Sequence, residues 1–383
     1  MKKTLIFLLL LIVGVLQVYA QTDGDDIVIG KYRKLHSDIT TEDRTLLVWL
    51  PRSYEQTTLS YPVMYVLYGQ NISGYMLPAI TACDMLSGSG VIPEMIIIGV
   101  ANAERYRDYT SIADGYIENT VKFFTDELFP FVESNYRTID YRIVTGPQAG
   151  AVFSFYTLLK HPQLFNAYIT ENPFVGQNRE LLYDMSKELI KGGSFSGKFL
   201  YITEENNRIP ANIDTAKKFE ELVTEVNPEG FELYLEIAEP SGYFVPPLPV
   251  KEALLKLFRE FAFPDTIKVN SVNEIKDFYR SVSSKYGVEF QPPEIILTFK
   301  SDEFTSTGRN TEAAELLEYQ LALYPKSLNA LMRMGDIKRS AGDYESAIKY
   351  YDEFLKISPV DAIAIRNRRD ELSKKMLEKM ETK

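Results

Sequence analysis

Between Asp26 and Phe263 short apolar runs alternate with longer stretches of helical periodicity. The runs Thr45–Leu50, Tyr61–Leu67, Met95–Val100, Tyr141–Thr145, Phe199–Ile202 and Phe231–Ile237 predict strands. Several are apolar at every position, the pattern of strands covered on both faces of a parallel sheet. Between them, Asn119–Tyr136, Ala149–Lys160, Ile213–Val226 and Val250–Phe261 place apolar residues at helical spacing. This alternation predicts an α/β fold, a doubly wound and mostly parallel sheet with right-handed crossovers, ended at Pro264.

Beyond Pro264 the strand pattern gives way to helix alone. Gly308 and Gly342, Ala313 and Ala347, and Pro325 and Pro359 recur at the same interval, about 34 residues, which is the tetratricopeptide period of a helix-turn-helix unit. Leu331, Met334, Gly335, Ala347, Tyr351 and Pro359 fill the large, small, aromatic and helix-ending positions of such a unit. Two units span Glu294 to Pro359, and Asp361 to Met380 reads as a polar capping helix. Isolated arrays need about three units, so this module is expected to pack on the α/β domain or on a partner. Ser271 to Tyr286, with Ile275, Phe278 and Val282 on one face, forms the expected bridge to Phe258 and Phe261. The first helix of the second unit offers Asn329, Arg333, Asp336 and Lys338 to a groove, which points to a protein or peptide partner.

The amino terminus reads differently. Lys2 and Lys3 precede an apolar stretch from Thr4 to Val18, and Val18-Tyr19-Ala20 is a small-x-small cleavage site. The stretch is short for a membrane span. The expectation is export, periplasmic or secreted, with cleavage after Ala20 and no membrane span left in the mature chain. The domain reading is therefore residues 1–20 as leader, 21–265 as the α/β domain and 266–383 as the helical domain. Composition narrows the partners: 53 acids against 42 bases give a net charge of −11, which argues against nucleic acid. The lone cysteine, Cys83, excludes an intramolecular disulfide and a thiolate zinc site, and the two histidines, His36 and His161, are too far apart for a metal motif. No cofactor is indicated.

The run Gly146-Pro147-Gln148-Ala149-Gly150, between a strand and a helix, has the frame of the G-x-S-x-G nucleophile elbow with glutamine at its centre. Around it the chain resembles the esterase family that includes esterase D and enterochelin esterase. Tyr61 to Gln70 is similar to that family's strand leading into the oxyanion loop. The segment 102–110 resembles its Asn-x-x-Arg-x-Arg-Asp-x-Thr motif, and Asn135-Tyr136-Arg137 and Leu158 to Tyr168 resemble the segments flanking the elbow. The helical tail is similar to that of members with a tetratricopeptide extension. The resemblance implies an α/β-hydrolase fold and a catalytic Ser-His-acid triad. The departures fall on that triad. Gln148 stands at the serine, Ser241 in Glu239-Pro240-Ser241-Gly242 stands at the histidine, and Tyr68 replaces an oxyanion-loop aspartate. Glu204 or Glu205 holds the place of the acid, on a loop where both are expected to be solvated.

Neither histidine is placed to substitute. His161 ends the elbow helix about 20 Å from Gln148 at 1.5 Å per residue, and His36 is expected on the surface. No catalytic residue is therefore assigned. A vestigial pocket remains for a small ester-like or carbonyl ligand, with Gln70 and Ala149 offering backbone N–H groups. Arg105 and Arg107 are candidates for an anion or ligand contact, or for a structural ion pair with Asp108. The expected function is an exported esterase-family protein that has lost hydrolase activity and acts as a binding or scaffold protein. The alternative is a carboxylic ester hydrolase with a rearranged active site.

Overall fold

The computed structural model of the chain describes residues 28–101, 104–174, 176, 178–193, 195–206, 209–238, 248–264, 266–358 and 362–381. The expected leader and its cleavage site lie outside them. Eight strands form one sheet: β1 (Lys31–Ser37), β2 (Glu42–Trp49), β3 (Tyr61–Leu67), β4 (Ile96–Ala101), β5 (Thr138–Pro147), β6 (Ala167–Glu171), β7 (Phe199–Glu205) and β8 (Glu232–Ala238). Their spatial order is β1-β2-β4-β3-β5-β6-β7-β8. The β1–β2 and β2–β4 pairs are antiparallel and every later pair is parallel, so the expected mostly parallel α/β sheet is the observed one.

The central strands explain why. β3 is buried at all seven positions and β4 at five of six, so both faces need cover. One face carries α2 (Arg105–Thr110), a helix running from α3 (Tyr116–Lys122) through a π-helical turn to α4 (Phe129–Asn135), α5 (Ala149–Lys160), α6 (Asn178–Gly192) and α7 (Pro210–Val226). Its core is aromatic, with Tyr65, Phe124, Phe129 and Phe165 meeting at ring separations of 5.2–6.1 Å. The other face carries α1 (Leu77–Gly88) and α8 (Leu248–Leu257). β1 had no signal in the hydrophobic pattern because it is a polar edge strand, exposed at most of its positions. β6 is five residues long, too short for periodicity to mark.

After α8 the chain is helical throughout: α9 (Val272–Tyr286), α10 (Glu294–Ser306), α11 (Asn310–Leu323), α12 (Leu328–Ser340), α13 (Tyr344–Ile357) and α14 (Ile363–Glu381). Gly308 and Gly342 both adopt left-handed backbone, φ 76° and 79°, and each precedes the second helix of a hairpin. Gly335 has a packing reason, since a Cβ there would overlap the Tyr351 ring.

These helices do not form a separate core. The lower face of the sheet (Met64, Ile97, Ile143) belongs to the same buried cluster as Tyr279, Phe290, Leu297, Phe304 and Leu316. Phe290 lies 6.1 Å from Tyr141 of β5, 5.5 Å from Phe261 and 5.6 Å from Tyr286, ring to ring. Among the described residues the last hairpin and α14 have a cluster of their own, around Leu331, Tyr351, Phe354 and Leu372, and Leu317, Ala330 and Met334 form a small one between α11 and α12. The short array is completed by the sheet rather than by a third repeat. Among the described residues no helix is long and apolar enough to cross a membrane.

Two outcomes follow from the shared core. Phe290→Ala should lower stability by about 3–5 kcal/mol. Urea unfolding followed by Trp49 fluorescence, the only tryptophan and on β2, should coincide with unfolding followed by far-ultraviolet dichroism of the helices. Two separate transitions would contradict a single core. A fragment from Asn270 to Lys383 should melt at lower temperature than the full chain.

Candidate functional site

The turn between β5 and α5 is built by packing. Gln148 occupies it with φ 47° and ψ −111°. A side chain at such backbone angles costs of order 1–3 kcal/mol and persists only where surroundings enforce it. Here the Gln148 N–H donates to the Glu171 carbonyl at 2.7 Å, and its own carbonyl accepts from Val152 N–H at 2.9 Å. On either side, a Cβ at Gly146 would lie 2.8 Å from the Leu67 Cβ. One at Gly150 would lie 3.1 Å from the same atom. The two glycines let the turn press directly on the end of β3. The expected elbow is present, with Gln148 at its tip and Ala149 buried as the first residue of α5.

Next to the elbow, Tyr68 continues β3 in left-handed backbone, φ 63°, and is buried with its ring 6.1 Å from Tyr75 and 6.0 Å from Tyr109. It therefore fills space above the sheet. Gln70 is exposed on the following turn. Under the elbow a cavity of about 30 Å³, bounded by Val66, Leu67, Tyr75, Gly146, Pro147 and Val250, has room for about one water.

The expectation of solvated acids is corrected. β7 runs three residues further than its apolar stretch, so Glu204 and Glu205 lie inside the protein, 1% and 3% exposed. Glu205 N–H donates to the Asn172 side-chain oxygen at 3.1 Å, and Asn172 N–H donates to the Thr203 carbonyl at 2.8 Å. Asn172 sits in left-handed backbone, φ 54°, at the end of β6. It went unremarked in the sequence, where the Asn172-Pro173 dipeptide was the available signal. Glu204 Oε1 has no hydrogen-bond partner. Burial pushes its carboxyl up to about 8, against a backbone hydrogen bond from Phe174 and with a further push from Glu205. Thr203 Oγ1 and Tyr109 OH are likewise buried without a partner.

Arg107 of the arginine segment is held in ion pairs. Arg107 reaches Glu42 at 2.9 Å and Asp108 at 2.8 Å, and the buried Arg44 meets Asp108 at 2.8 Å. Arg105 opens α2, and its side chain lies outside the described residues, as does Ser241. Both histidines are engaged elsewhere: His36 with Asp43 at 2.7 Å on the exposed edge, His161 with Glu118 at 3.0 Å beyond the far end of α5. Among the described residues no group of three or more His, Cys, Asp or Glu is placed to hold a metal.

The groove expected on α12 is occupied from within. Arg333 forks onto Asp302 of α10 at 2.5 and 2.6 Å and also reaches Asn329 at 3.2 Å. Asp336 accepts from Arg368 of α14 at 2.8 Å and from Tyr351 at 2.7 Å. Arg333 and Asp336 thus hold neighbouring helices together, Asn329 is bonded to Arg333 within α12, and Lys338 stays half-buried beside them. Spacing along one helix does not reveal partners about 30 residues away.

Compared with known proteins, residues 37–196 match the family described as Putative esterase. Ferri-bacillibactin esterase BesA of Bacillus subtilis is 26% identical over 197 residues, 45% of this chain and 64% of that protein. Protein adenylyltransferase Fic of Drosophila erecta is 29% identical over 130 residues, 30% of this chain and 26% of that protein. The chain spans less than two thirds of the length of either relative. Among solved structures, an IroE-like serine hydrolase from Shewanella oneidensis superposes with a TM-score of 0.65 at 23% identity. It covers 75% of this chain and 98% of its own, a likeness of fold.

The geometry makes two predictions. Gly146→Ala should destabilise by about 1–3 kcal/mol, because the added methyl meets the Leu67 side chain, whereas Gln148→Gly should be neutral or mildly stabilising; the reverse order in thermal melts would refute the packing account. Glu204 binds its proton more tightly folded than unfolded, so the native state holds the extra proton between about pH 4.5 and 8. Its contribution to stability therefore falls as pH rises through that window. Glu204→Gln should remove a decline of the order of a few kcal/mol. Urea titrations at pH 5 and pH 8 with equal wild-type-to-variant differences would contradict this.

Proposed function

We propose, starting from an α/β domain that belongs to the esterase family, that this chain is an exported binding protein that no longer hydrolyses esters. The observation that carries the reading is Gln148 at the tip of the elbow, in the strained backbone that the family uses to present its serine. An amide has no lone pair available for acyl transfer at neutral pH and no proton that a base would usefully remove. A base is missing as well, since His161 is bonded to Glu118 beyond the far end of the elbow helix and no histidine follows it in the sequence. Losing nucleophile and base together removes about 10⁶ in rate. What remains would suit at most a small carbonyl group, offered the N–H of Ala149 and the amide of Gln148, because the described space beside the elbow holds about one water. The helical repeats are the surface proposed for a protein or peptide partner. Export rests on the basic and apolar amino-terminal segment.

One observation favours the second reading, an ester hydrolase with a rearranged site. Glu204 is buried beside the elbow with a raised pKa and an unsatisfied oxygen, and such acids concentrate at functional sites. The two readings separate in one assay. Purified mature protein should release 4-nitrophenol from 4-nitrophenyl butyrate no faster than heat-denatured protein, and Gln148→Ser should not restore turnover because the base is still absent. Turnover near 1 s⁻¹, modest for an enzyme, would overturn the binding reading.

A further inference from the structure

A cleft of about 1020 Å³ opens at the opposite end of the strands from the elbow, between the starts of β3 and β5 and the first helical hairpin. That is the size of a small-molecule site, and the junction between two structural units is a common place for one. Its floor is aromatic, formed by Tyr61, Phe261, Phe290 and Tyr324. Each wall carries one half-buried carboxylate: Glu94 from the turn before β4, and Glu294 at the start of α10.

Both carboxylates are hydrogen-bonded; the Arg52 guanidinium, forked onto Asp84, acts on Glu94 at a distance without pairing with it. Glu94 accepts from the Ser53 hydroxyl and, at 3.3 Å, from the Ser53 N–H. Glu294 accepts from the Ser327 hydroxyl and, at 3.4 Å, from the Gln320 amide. Neither has an ion-pair partner among the described residues. The cations nearby are spent elsewhere. Arg52 forks onto Asp84, Arg137 donates to the carbonyls of Leu59 and Tyr54, and Lys326 donates across the cleft mouth to the Glu55 carbonyl at 3.0 Å. Burial, with Glu294 and Asp84 as like charges, pushes the Glu94 carboxyl above its ordinary range. Behind Glu294, Gln320 is fully buried. Its amide nitrogen bonds Thr298 at 2.9 Å and Ser327 at 3.0 Å, both of the cleft wall, while its carbonyl oxygen has no partner. The two carboxylates thus face the cleft with hydroxyl and amide donors but no ion-pair partner, and the layer behind Glu294 carries one further acceptor without a donor.

A cation on a slender aliphatic stem matches that lining. Its head would satisfy acceptors on both walls, and its stem would lie on the aromatic floor, as lysine and arginine stems do on apolar surfaces. We propose that this cleft binds a ligand carrying an alkylammonium or guanidinium group, with the charged head between Glu94 and Glu294. The source of that group is a free polyamine or a basic side chain of a peptide. The site is separate from the elbow and does not depend on whether the elbow is catalytic.

The test is calorimetric titration of the full chain with three probes: spermidine, an N-acetylated and C-amidated Gly-Arg-Gly peptide, and the same peptide with citrulline in place of arginine. At least one cationic probe should bind and the citrulline peptide should not. Spermidine binding alone assigns a free amine, and arginine-peptide binding assigns a peptide ligand. Glu94→Gln and Glu294→Gln keep the bonds to Ser53 and Ser327 and should each weaken binding at least tenfold. Ser60→Arg, at an exposed position of the same wall, should weaken it without touching a buried group, which covers failure of either glutamine variant to fold. Absence of binding by both cationic probes, equal binding of the citrulline peptide, or binding that no folded variant alters would overturn the proposal.

Discussion

The structure depends on one shared apolar layer under the sheet. Strands β3, β4 and β5 are buried on both faces, and on the lower face α1 and α8 leave part of the sheet's width to be covered. The aromatic residues that complete it come from the end of the α/β segment and the start of the helical one: Phe258, Tyr286 and Phe290 pack against Tyr141, and Phe261 packs against Phe290. This explains how a helical array of two hairpins persists without a third: its inner side is the sheet. It also fixes the helices relative to the strand ends, so that Glu94 and Glu294, two hundred residues apart in the chain, face one cleft.

At the other end of the same strands, the elbow keeps its architecture with glutamine at its tip. Gly146 and Gly150 lie against Leu67, and the register of β5 on β6 delivers the Glu171 carbonyl to Gln148 N–H. These contacts hold the positive φ whatever side chain stands there. The acids at the end of β7 are similarly kept in place by Asn172 and by burial.

Much of this is legible in the sequence. Runs such as Tyr61–Leu67, apolar throughout, could only be buried strands, and the helical spacing of Ala149–Lys160 gives α5 to the residue. The glycines that bracket Gln148 mark the turn by themselves, since only a residue without a side chain fits against Leu67 on both sides of it. The misses have physical causes. β1 is polar because it is an exposed edge, so alternation carries no signal. Glu204 and Glu205 look like loop residues because burial of a carboxyl depends on where the strand ends, and composition does not report that. Arg333 and Asp336 look like groove residues because their partners, Asp302 and Arg368, are on other helices. Local pattern gives elements and turns; pairing between distant charges belongs to the tertiary fold.

The central claim is that the elbow presents no activated hydroxyl. It is tested most directly by incubating the mature protein with a fluorophosphonate, which modifies an activated hydroxyl irrespective of the substrate an enzyme prefers, and weighing the intact protein. The account predicts an unchanged mass, with Gln148→Ser also unmodified because no base stands beside it. A stoichiometric adduct on the wild-type chain, mapped to any side chain around the elbow, would contradict it.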